Sequence, residues 1–458
     1  MPPVLRRVLV ANRGEIAVRV VRACFDEGLE SVVAVSEVDR DSLAARMADG
    51  VVQIGPAAAA ESYLSVERIV AAAQHAGCDA VHPGYGFLSE RPELADACAE
   101  NGLVFIGPPG DVMRRSGDKL RAREVADKLG IPTGGGTAGL HSLEEALEAA
   151  QWLAAYPLLM KASAGGGGRG MTIVREPEDL RRAFERSRIE AERAFGDGTL
   201  YLERFIEQAR HVEVQVLADQ HGNVRHLGER DCSAQRRYQK LVEEAPAVGL
   251  LPETLTGLRE SAVRLCEELS YVGAGTVEFL VDAKRGDFIF LELNARVQVE
   301  HPVTEAVTGI DIVREQLRIA AGQPISFAQQ DVVVTGHAVE CRINAEDPER
   351  DFAPSPGTVG VWVPPQGAGI RVDTFMHPGA RVQPYYDSLI AKVITHAATR
   401  AEALALMDRA LSRLRVEGIS TTTPLQRSII TDPRFGTEPI HTRWLEEVFL
   451  PGRTEESS

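Results

Sequence analysis

Gly275-Thr-Val-Glu-Phe-Leu-Val-Asp282 and Asp287-Phe-Ile-Phe-Leu-Glu-Leu-Asn294 are alternating apolar and polar runs separated by Ala283-Lys-Arg-Gly286. Period-two alternation predicts strands, and a short linker ending in glycine predicts a hairpin. With Lys284-Arg285-Gly286 as the loop and Gly286 left-handed in a bulge, pairing is centred on Arg285. That register sets Glu278 directly opposite Glu292, on the polar face beside Asn294. Like charges placed opposite each other are destabilising, so the pair calls for a cation. Two carboxylates and an amide oxygen form a hard-oxygen set suited to Mg²⁺, which takes its remaining ligands from water and substrate phosphates.

The same strand is expected to continue through Ala295-Arg-Val-Gln-Val-Glu300. Glu292, Asn294, Arg296, Gln298 and Glu300 then share one face, which is costly unless something polar binds there. Arg296 offers a planar fork for a carboxylate-like anion and Glu300 a base for its proton, and bicarbonate fits both roles. A further strand, Ala338-Val-Glu-Cys-Arg-Ile-Asn344, projects Glu340, Arg342 and Asn344 on one face and Val339, Cys341 and Ile343 on the other.

Upstream, Lys161-Ala-Ser-Ala-Gly-Gly-Gly-Gly-Arg-Gly170 lies between two predicted strands, Leu158 to Ala162 and Met171 to Val174. Gly165, Gly166, Gly167 and Gly168 lack Cβ atoms, so their amide groups can wrap a polyphosphate while Lys161 supplies charge. The spacing matches neither G-x-x-x-x-G-K-[ST] nor G-x-G-x-x-G. Together the loop and the carboxylate pair point to MgATP.

The first 110 or so residues alternate short β-branched runs (Val8 to Ala11, Ser31 to Ser36, Val51 to Ile54, Asp79 to His82, Leu103 to Ile106) with helical stretches closed by Gly28, Gly77 and Gly102. This is the pattern of a doubly wound parallel sheet covered on both faces. A helix is expected from about Ser116 to Leu129, then a hinge at the glycine cluster 134–136, then a small mobile unit with a charged helix from about Glu178 to Ala194. From Thr199 onward period-two alternation predicts an antiparallel, one-sided sheet. The expected division is therefore an N-terminal α/β domain at 1–115, a connecting helix at 116–132, a lid at 133–205, a C-terminal region at 206–450 and a disordered tail at 451–458.

Composition agrees with a globular chain of about three domains: 458 residues, 44% of them apolar. No apolar run approaches the ~18 residues of a membrane helix, and the start carries no signal-peptide pattern. Lys plus Arg number 50 against 66 Asp plus Glu, a net charge of -16 that disfavours nucleic-acid binding. Six scattered cysteines without a C-x-x-C pair predict neither disulfides nor zinc, but buried thiols in a reducing cytoplasm.

Taken together, Ala11-Asn-Arg-Gly-Glu-Ile-Ala17, His82-Pro-Gly-Tyr-Gly-Phe-Leu-Ser-Glu90, the glycine loop, Glu229-Arg-Asp-Cys-Ser233, Gln235-Arg-Arg237, Glu243-Glu-Ala-Pro246, Asn294 to Glu305 and His337 to Asp347 resemble biotin carboxylase, the ATP-grasp subunit of biotin-dependent carboxylases. The resemblance spans nearly the whole chain. It implies a multidomain α/β and α+β fold: an N-terminal doubly wound parallel sheet, an ATP-grasp lid and a largely antiparallel C-terminal domain. It implies that Lys119, Lys161, the glycine loop, Glu203, Arg204, Ile206, His211, Gln235 and Tyr238 hold ATP together with Glu278 and Glu292. Mg²⁺, with Mn²⁺ as an alternative, would be bound by Glu278, Glu292 and Asn294. Bicarbonate would be bound by Lys240, Arg296, Gln298, Val299 and Glu300, with Glu300 as base, and biotin by Tyr85, Arg296 and Arg342.

The implied reaction is ATP-dependent carboxylation of biotin on a separate carrier protein, with separate carboxyltransferase subunits, most simply within an acetyl-CoA carboxylase; propionyl-CoA, other acyl-CoA or pyruvate are the alternative acceptors. The resemblance also implies a homodimer in the cytoplasm. The only Met-Lys pair, Met160-Lys161, directly precedes the phosphate loop, so the chain is not expected to be biotinylated itself. Two departures stand out: Ala164 where the family's loop has glycine, and Tyr238 where its Gln-Arg-Arg-His-Gln-Lys string has histidine. Another bicarbonate-using ATP-grasp ligase of the carbamoyl-phosphate type, and a non-catalytic nucleotide-binding homologue, are the competing readings.

Overall fold

The computed structural model describes residues 5–117, 119–134, 136–153, 156–163, 171–282, 285–437 and 440–452, with the side chains of Lys119, Leu120 and Phe195 left aside. A five-stranded parallel sheet opens the chain, in the order Gly50–Gly55, Glu30–Ser36, Arg7–Val10, Ala80–His82, Val104–Phe105. The helices Gly14–Asp26, Val66–His75 and Pro92–Glu100 connect these strands. Each is followed by a left-handed glycine, Gly28, Gly77 and Gly102, because a residue with no Cβ adopts positive φ at no steric cost.

The expected helix at Ser116 begins earlier: one helix runs Gly110–Gly117 and another Lys119–Lys128. Beyond it lies a small three-stranded antiparallel sheet, Met171–Val174, Leu158–Ala162 and Leu200–Arg204, backed by the helices Leu143–Leu153 and Pro177–Phe195. Its apolar core (Leu158, Met160, Leu180, Phe184, Leu202) is separate from the others.

The remainder is built on one eight-stranded antiparallel sheet, in the order Phe288–Asn294, Gly273–Asp282, Ala209–Ala218, Val224–Arg236, Gln239–Ala245, His337–Asn344, Leu389–Ala397, Ile370–Thr374. Here the expectation of a one-sided sheet fails. Every residue of Ala209–Ala218 is buried. The helix Pro252–Glu268 covers one face through Leu258, Ala262 and Leu265, while the opposite face carries buried charged residues such as Glu213, Arg230, Glu243 and Lys392. Alternation survives, but the polar side is enclosed by other elements and its charges are paired internally.

A large apolar core joins Ile16 and Val20 of the first helix to Val339, Ile343 and Ile390 of the large sheet. On the charged face of that sheet Lys392 pairs with Glu15 of the first helix at 3.0 Å, which sets the N-terminal domain against that face. At the other end, Pro451 and Gly452, expected to be disordered, still belong to the last helix; residues 453–458 lie outside the described residues. Among the described residues no helix is long and apolar enough to cross a membrane, and all six cysteines are free and buried.

Candidate active site

Glu278 pairs with Glu292 across the hairpin, as the sequence predicts, and Thr276 with Asn294. The route to that register differs from the expected one. Asp282 donates its N–H to the Asp287 carbonyl at 2.8 Å, so the loop holds one residue more than the expected three, and Ala283 and Lys284 within it lie outside the described residues. Gly286 is left-handed as expected, at φ +77°. Phe279 then faces Phe290, and Leu291 is an extra residue that returns Glu278 to Glu292.

The row extends further. Glu278 is also the register partner of Glu213, and Glu213 of Arg230. Three carboxylates thus stand side by side on adjacent strands, in a buried setting where repulsion is weakly screened. Lys240 resolves it: its ammonium donates to Glu213 at 2.6 Å, Glu278 at 3.0 Å and Glu300 at 2.6 Å. Arg230 bonds Glu213 at 2.5 Å, and His211 lies 3.0 Å from Glu278. Burial would raise the Glu278 and Glu300 carboxyls, but Lys240 with His211, and Lys240 with Arg342 and Arg230, outweigh it and hold both well below the usual carboxylate range.

The strand carrying Glu292 does not reach Glu300 as expected. It ends at Asn294, and Ala295 to Glu300 form an irregular segment entering the helix His301–Thr308. The polar side chains still converge: Arg296 donates to Gln298 at 2.7 Å and Asn294 at 3.1 Å, and Gln298 to Glu278 at 3.2 Å. Arg296 is also paired with Glu90 at 2.9 Å. Val297 is fully buried; an apolar anchor between two polar neighbours keeps them turned to one side without strand pairing.

Arg342 closes the pocket from the other side. Its guanidinium bonds Glu243 at 2.5 Å and Glu300 at 2.9 Å. Glu340 pairs in register with Glu243, and neither of its carboxyl oxygens has a hydrogen-bond partner. Burial pushes the Glu340 carboxyl well above the usual range; burial also pushes Glu243 up, to about 7, against the pull of Arg342. Tyr85 donates its hydroxyl to the Glu15 carboxylate.

Around the same cavity, of about 880 Å³, stand Lys161, Glu203, Arg204, Ile206, His211, Gln235 and Tyr238, with Glu278, Glu292, Asn294, Arg296, Gln298, Val299, Arg342 and Tyr85. Lys161 is paired with Glu203, which also takes Arg123 at 3.4 Å. Glu300 is fully buried behind this lining and does not itself line the cavity; it is reached through Lys240 and Arg342, which do. Gly165, Gly166, Gly167, Gly168 and Ala164 lie outside the described residues, as does the side chain of Lys119. Tyr238 sits at the mouth, 61% exposed. It and Arg237 form the two-residue turn between Val224–Arg236 and Gln239–Ala245, with φ of +65° and +47°.

Glu278, Glu292 and Asn294 offer only hard oxygen donors within one cavity, a donor set that fits Mg²⁺. Sequence reasoning missed Glu213, Arg230, Glu243, Glu15 and Lys392. Glu15, Arg230 and Glu243 lie within the strings that carry the family resemblance, though no role followed from it; for Glu213 the signal was alternation on Ala209–Ala218, which turns Glu213 and Gln215 to the face opposite Val212, Val214 and Val216.

Three family models cover the chain: biotin carboxylase N-terminal domain at residues 4–113, carbamoyl-phosphate synthase L chain ATP-binding domain at 118–328, and biotin carboxylase C-terminal domain at 340–447. Biotin carboxylase 1 of Bacillus subtilis is 47% identical, over 98% of this chain and 100% of that protein. The chain belongs to the biotin carboxylase family. The competing carbamoyl-phosphate reading thereby reduces to a shared ATP-binding domain, and the chain is an ATP-grasp ligase, the biotin carboxylase subunit of a biotin-dependent carboxylase.

A pyruvate carboxylase subunit of Methanothermobacter thermautotrophicus is 46% identical over 96% of this chain and 89% of that protein. The biotin carboxylase domain dimer of the Hydrogenobacter thermophilus 2-oxoglutarate carboxylase, solved with MgADP, ADP and bicarbonate, superposes with a TM-score of 0.91 at 48% identity, over 97% of each chain.

Proposed function

We propose that this enzyme uses MgATP and bicarbonate to carboxylate biotin on a separate carrier protein, releasing ADP and phosphate. The observation that carries this is the convergence of Lys240 and Arg342 on the buried Glu300, both cations lining the cavity that also holds Glu278, Glu292 and Arg296. Lys119, Lys161, the amides of Gly165 to Gly168, Glu203, Arg204, Ile206, His211, Gln235 and Tyr238 bind the nucleotide, and residues 133–205 close over it as a lid. Glu278, Glu292 and Asn294 hold Mg²⁺, which neutralises phosphate charge when bound.

Lys240, Arg296, Gln298 and Val299 seat bicarbonate, and Glu300, kept ionised by two cations, takes its proton as the anion attacks the γ-phosphate. The carboxyphosphate so formed breaks down to CO₂ and phosphate, and the phosphate removes the ureido proton of biotin. Arg342 stabilises the negative oxygen that develops on biotin, with Tyr85 beside the ring. These are positioning and electrostatic roles, where phosphoryl-transfer catalysis mostly resides.

Phosphate release measured with and without bicarbonate, then with free biotin, tests the reading. Release is expected only with bicarbonate and faster with biotin; equal rates would sink it. The proposed parent complex is an acetyl-CoA carboxylase. The 46% identity to a pyruvate carboxylase subunit supports a keto-acid acceptor as second reading, and the transferase co-purifying with the native protein decides between them. The solved dimer of the Hydrogenobacter thermophilus relative supports a homodimer, and six free buried cysteines support a cytoplasmic setting.

A further inference from the structure

Lys392 is fully buried, on the strand Leu389–Ala397, and is the register partner of Arg342. Cross-strand partners share a face, so two cations stand side by side beneath the pocket. Like charges in that relation are destabilising, and burying an ammonium costs several kcal/mol before any partner is counted. On its own face the flanking strand residues Ile390 and Ile394 are apolar and buried, and an apolar residue beside them would not carry that cost. A lysine here therefore calls for an account beyond packing.

Its bonds supply one. The ammonium donates to the Val299 carbonyl at 2.8 Å, a residue 93 positions away. It is paired with Glu15 at 3.0 Å, and Glu15 accepts the Tyr85 hydroxyl. Glu340 on the adjacent strand makes no hydrogen bond, and Asp373, the register partner of Lys392 on its other side, is held by Arg371 at 2.7 Å; Glu15 is the carboxylate within 3.0 Å of the ammonium. One side chain thus joins the turn carrying Val299 and Glu300, the first helix of the N-terminal domain and the Tyr85 wall.

We propose that Lys392 is a positioning residue of the carboxylation site, fixing the Val299–Glu300 turn at a set distance from Glu15 and Tyr85. The ammonium ties the Val299–Glu300 turn to the N-terminal domain, as the Glu90 pair ties Arg296 to it. The inference rests on the bicarbonate-dependent reading of the site given above.

The test compares wild type with Lys392→Met and with the charge-balanced Lys392→Met/Glu15→Gln, which leaves no buried carboxylate unpaired and guards against misfolding. In the double variant the KM for bicarbonate is expected to rise about tenfold, the scale of losing a charged hydrogen bond. The KM for ATP should stay within about twofold, and amide exchange over residues 298–301 should accelerate. A generally loosened fold would raise both KM values together, and that result overturns the proposal, as does an unchanged bicarbonate KM. Wild-type turnover that ignores bicarbonate would instead overturn the functional reading itself.

Discussion

Arg342 and Glu300 are joined by a 2.9 Å bond across the pocket, and the same guanidinium holds Glu243 at 2.5 Å. Glu300 and Glu243 are both completely buried. Arg342 is therefore the counter-charge of two interior carboxyls as well as the group proposed to face biotin, so its removal acts on two observables.

Arg342→Ala is expected to lower biotin carboxylation by about 10²- to 10³-fold, the scale of losing one transition-state donor. Stability should also fall, by about 3–5 kcal/mol, because buried carboxyls lose their partner. Adding Glu243→Gln should restore much of the stability and none of the rate. Urea unfolding alongside steady-state kinetics separates the two effects; a large loss of ATP affinity would move Arg342 into the nucleotide site.

Glu292 stands in register with Glu278 on the cavity wall. Glu292→Gln removes one charge from the proposed Mg²⁺ set while keeping an oxygen donor. The Mg²⁺ concentration for half-maximal turnover should rise by about tenfold or more, with the bicarbonate KM little changed. Titrating Mg²⁺ at saturating ATP and bicarbonate is the check, and an unshifted curve would remove Glu292 from the set.

Glu244 is bonded to His337 on the neighbouring strand at 2.9 Å and ties the large sheet to the helix Arg400–Arg413 through Arg400 at 2.6 Å. Burial would raise its carboxyl, but these two partners bring it down from 4.5 to about 2. A carboxyl lowered in the folded state contributes its full stability above the unfolded value and loses it as pH falls through the folded one. Wild type should lose stability between about pH 4.5 and 2, more steeply than Glu244→Gln, which starts less stable at neutral pH. Denaturant midpoints across that range measure the difference in slope.

Tyr238 occupies a left-handed position at φ +65° in a turn whose other central residue, Arg237, is left-handed too. Side chains with a Cβ pay about 1–2 kcal/mol for this backbone, and asparagine pays least. Tyr238→Asn should stabilise the protein by about 1 kcal/mol, seen in thermal unfolding. Nucleotide affinity measured on the same variant reports whether the strained residue is kept for binding; a stability gain with unchanged affinity would remove Tyr238 from the ATP site.

Much of the architecture is legible in sequence because it depends on neighbours along the chain. The five parallel strands, the left-handed Gly28, Gly77 and Gly102, and the facing Glu278 and Glu292 follow from period and turn chemistry within about 30 residues. Arg296 and Gln298 were legible as a pair although the strand beneath them was not: spacing of two with buried Val297 between them works in an irregular segment as it does in a strand.

Sequence alone therefore determined which side chains are polar, at what spacing, and on which side of their own strand they lie. It could not determine that the polar face is enclosed, since enclosure depends on what packs there: the N-terminal domain and the helix His301–Thr308, brought in from far along the chain. Nor could it pair the charges. Lys240 reaches Glu213, Glu278 and Glu300, and Lys392 reaches Val299 and Glu15, over separations that no local periodicity encodes. Alternation is a property of one strand, whereas Coulomb energy is set by distance in space. Only the folded sheet brings those cations within 3 Å of their carboxylates, and so the Glu300 carboxyl is pulled down by its cations while burial pushes the Glu340 carboxyl up.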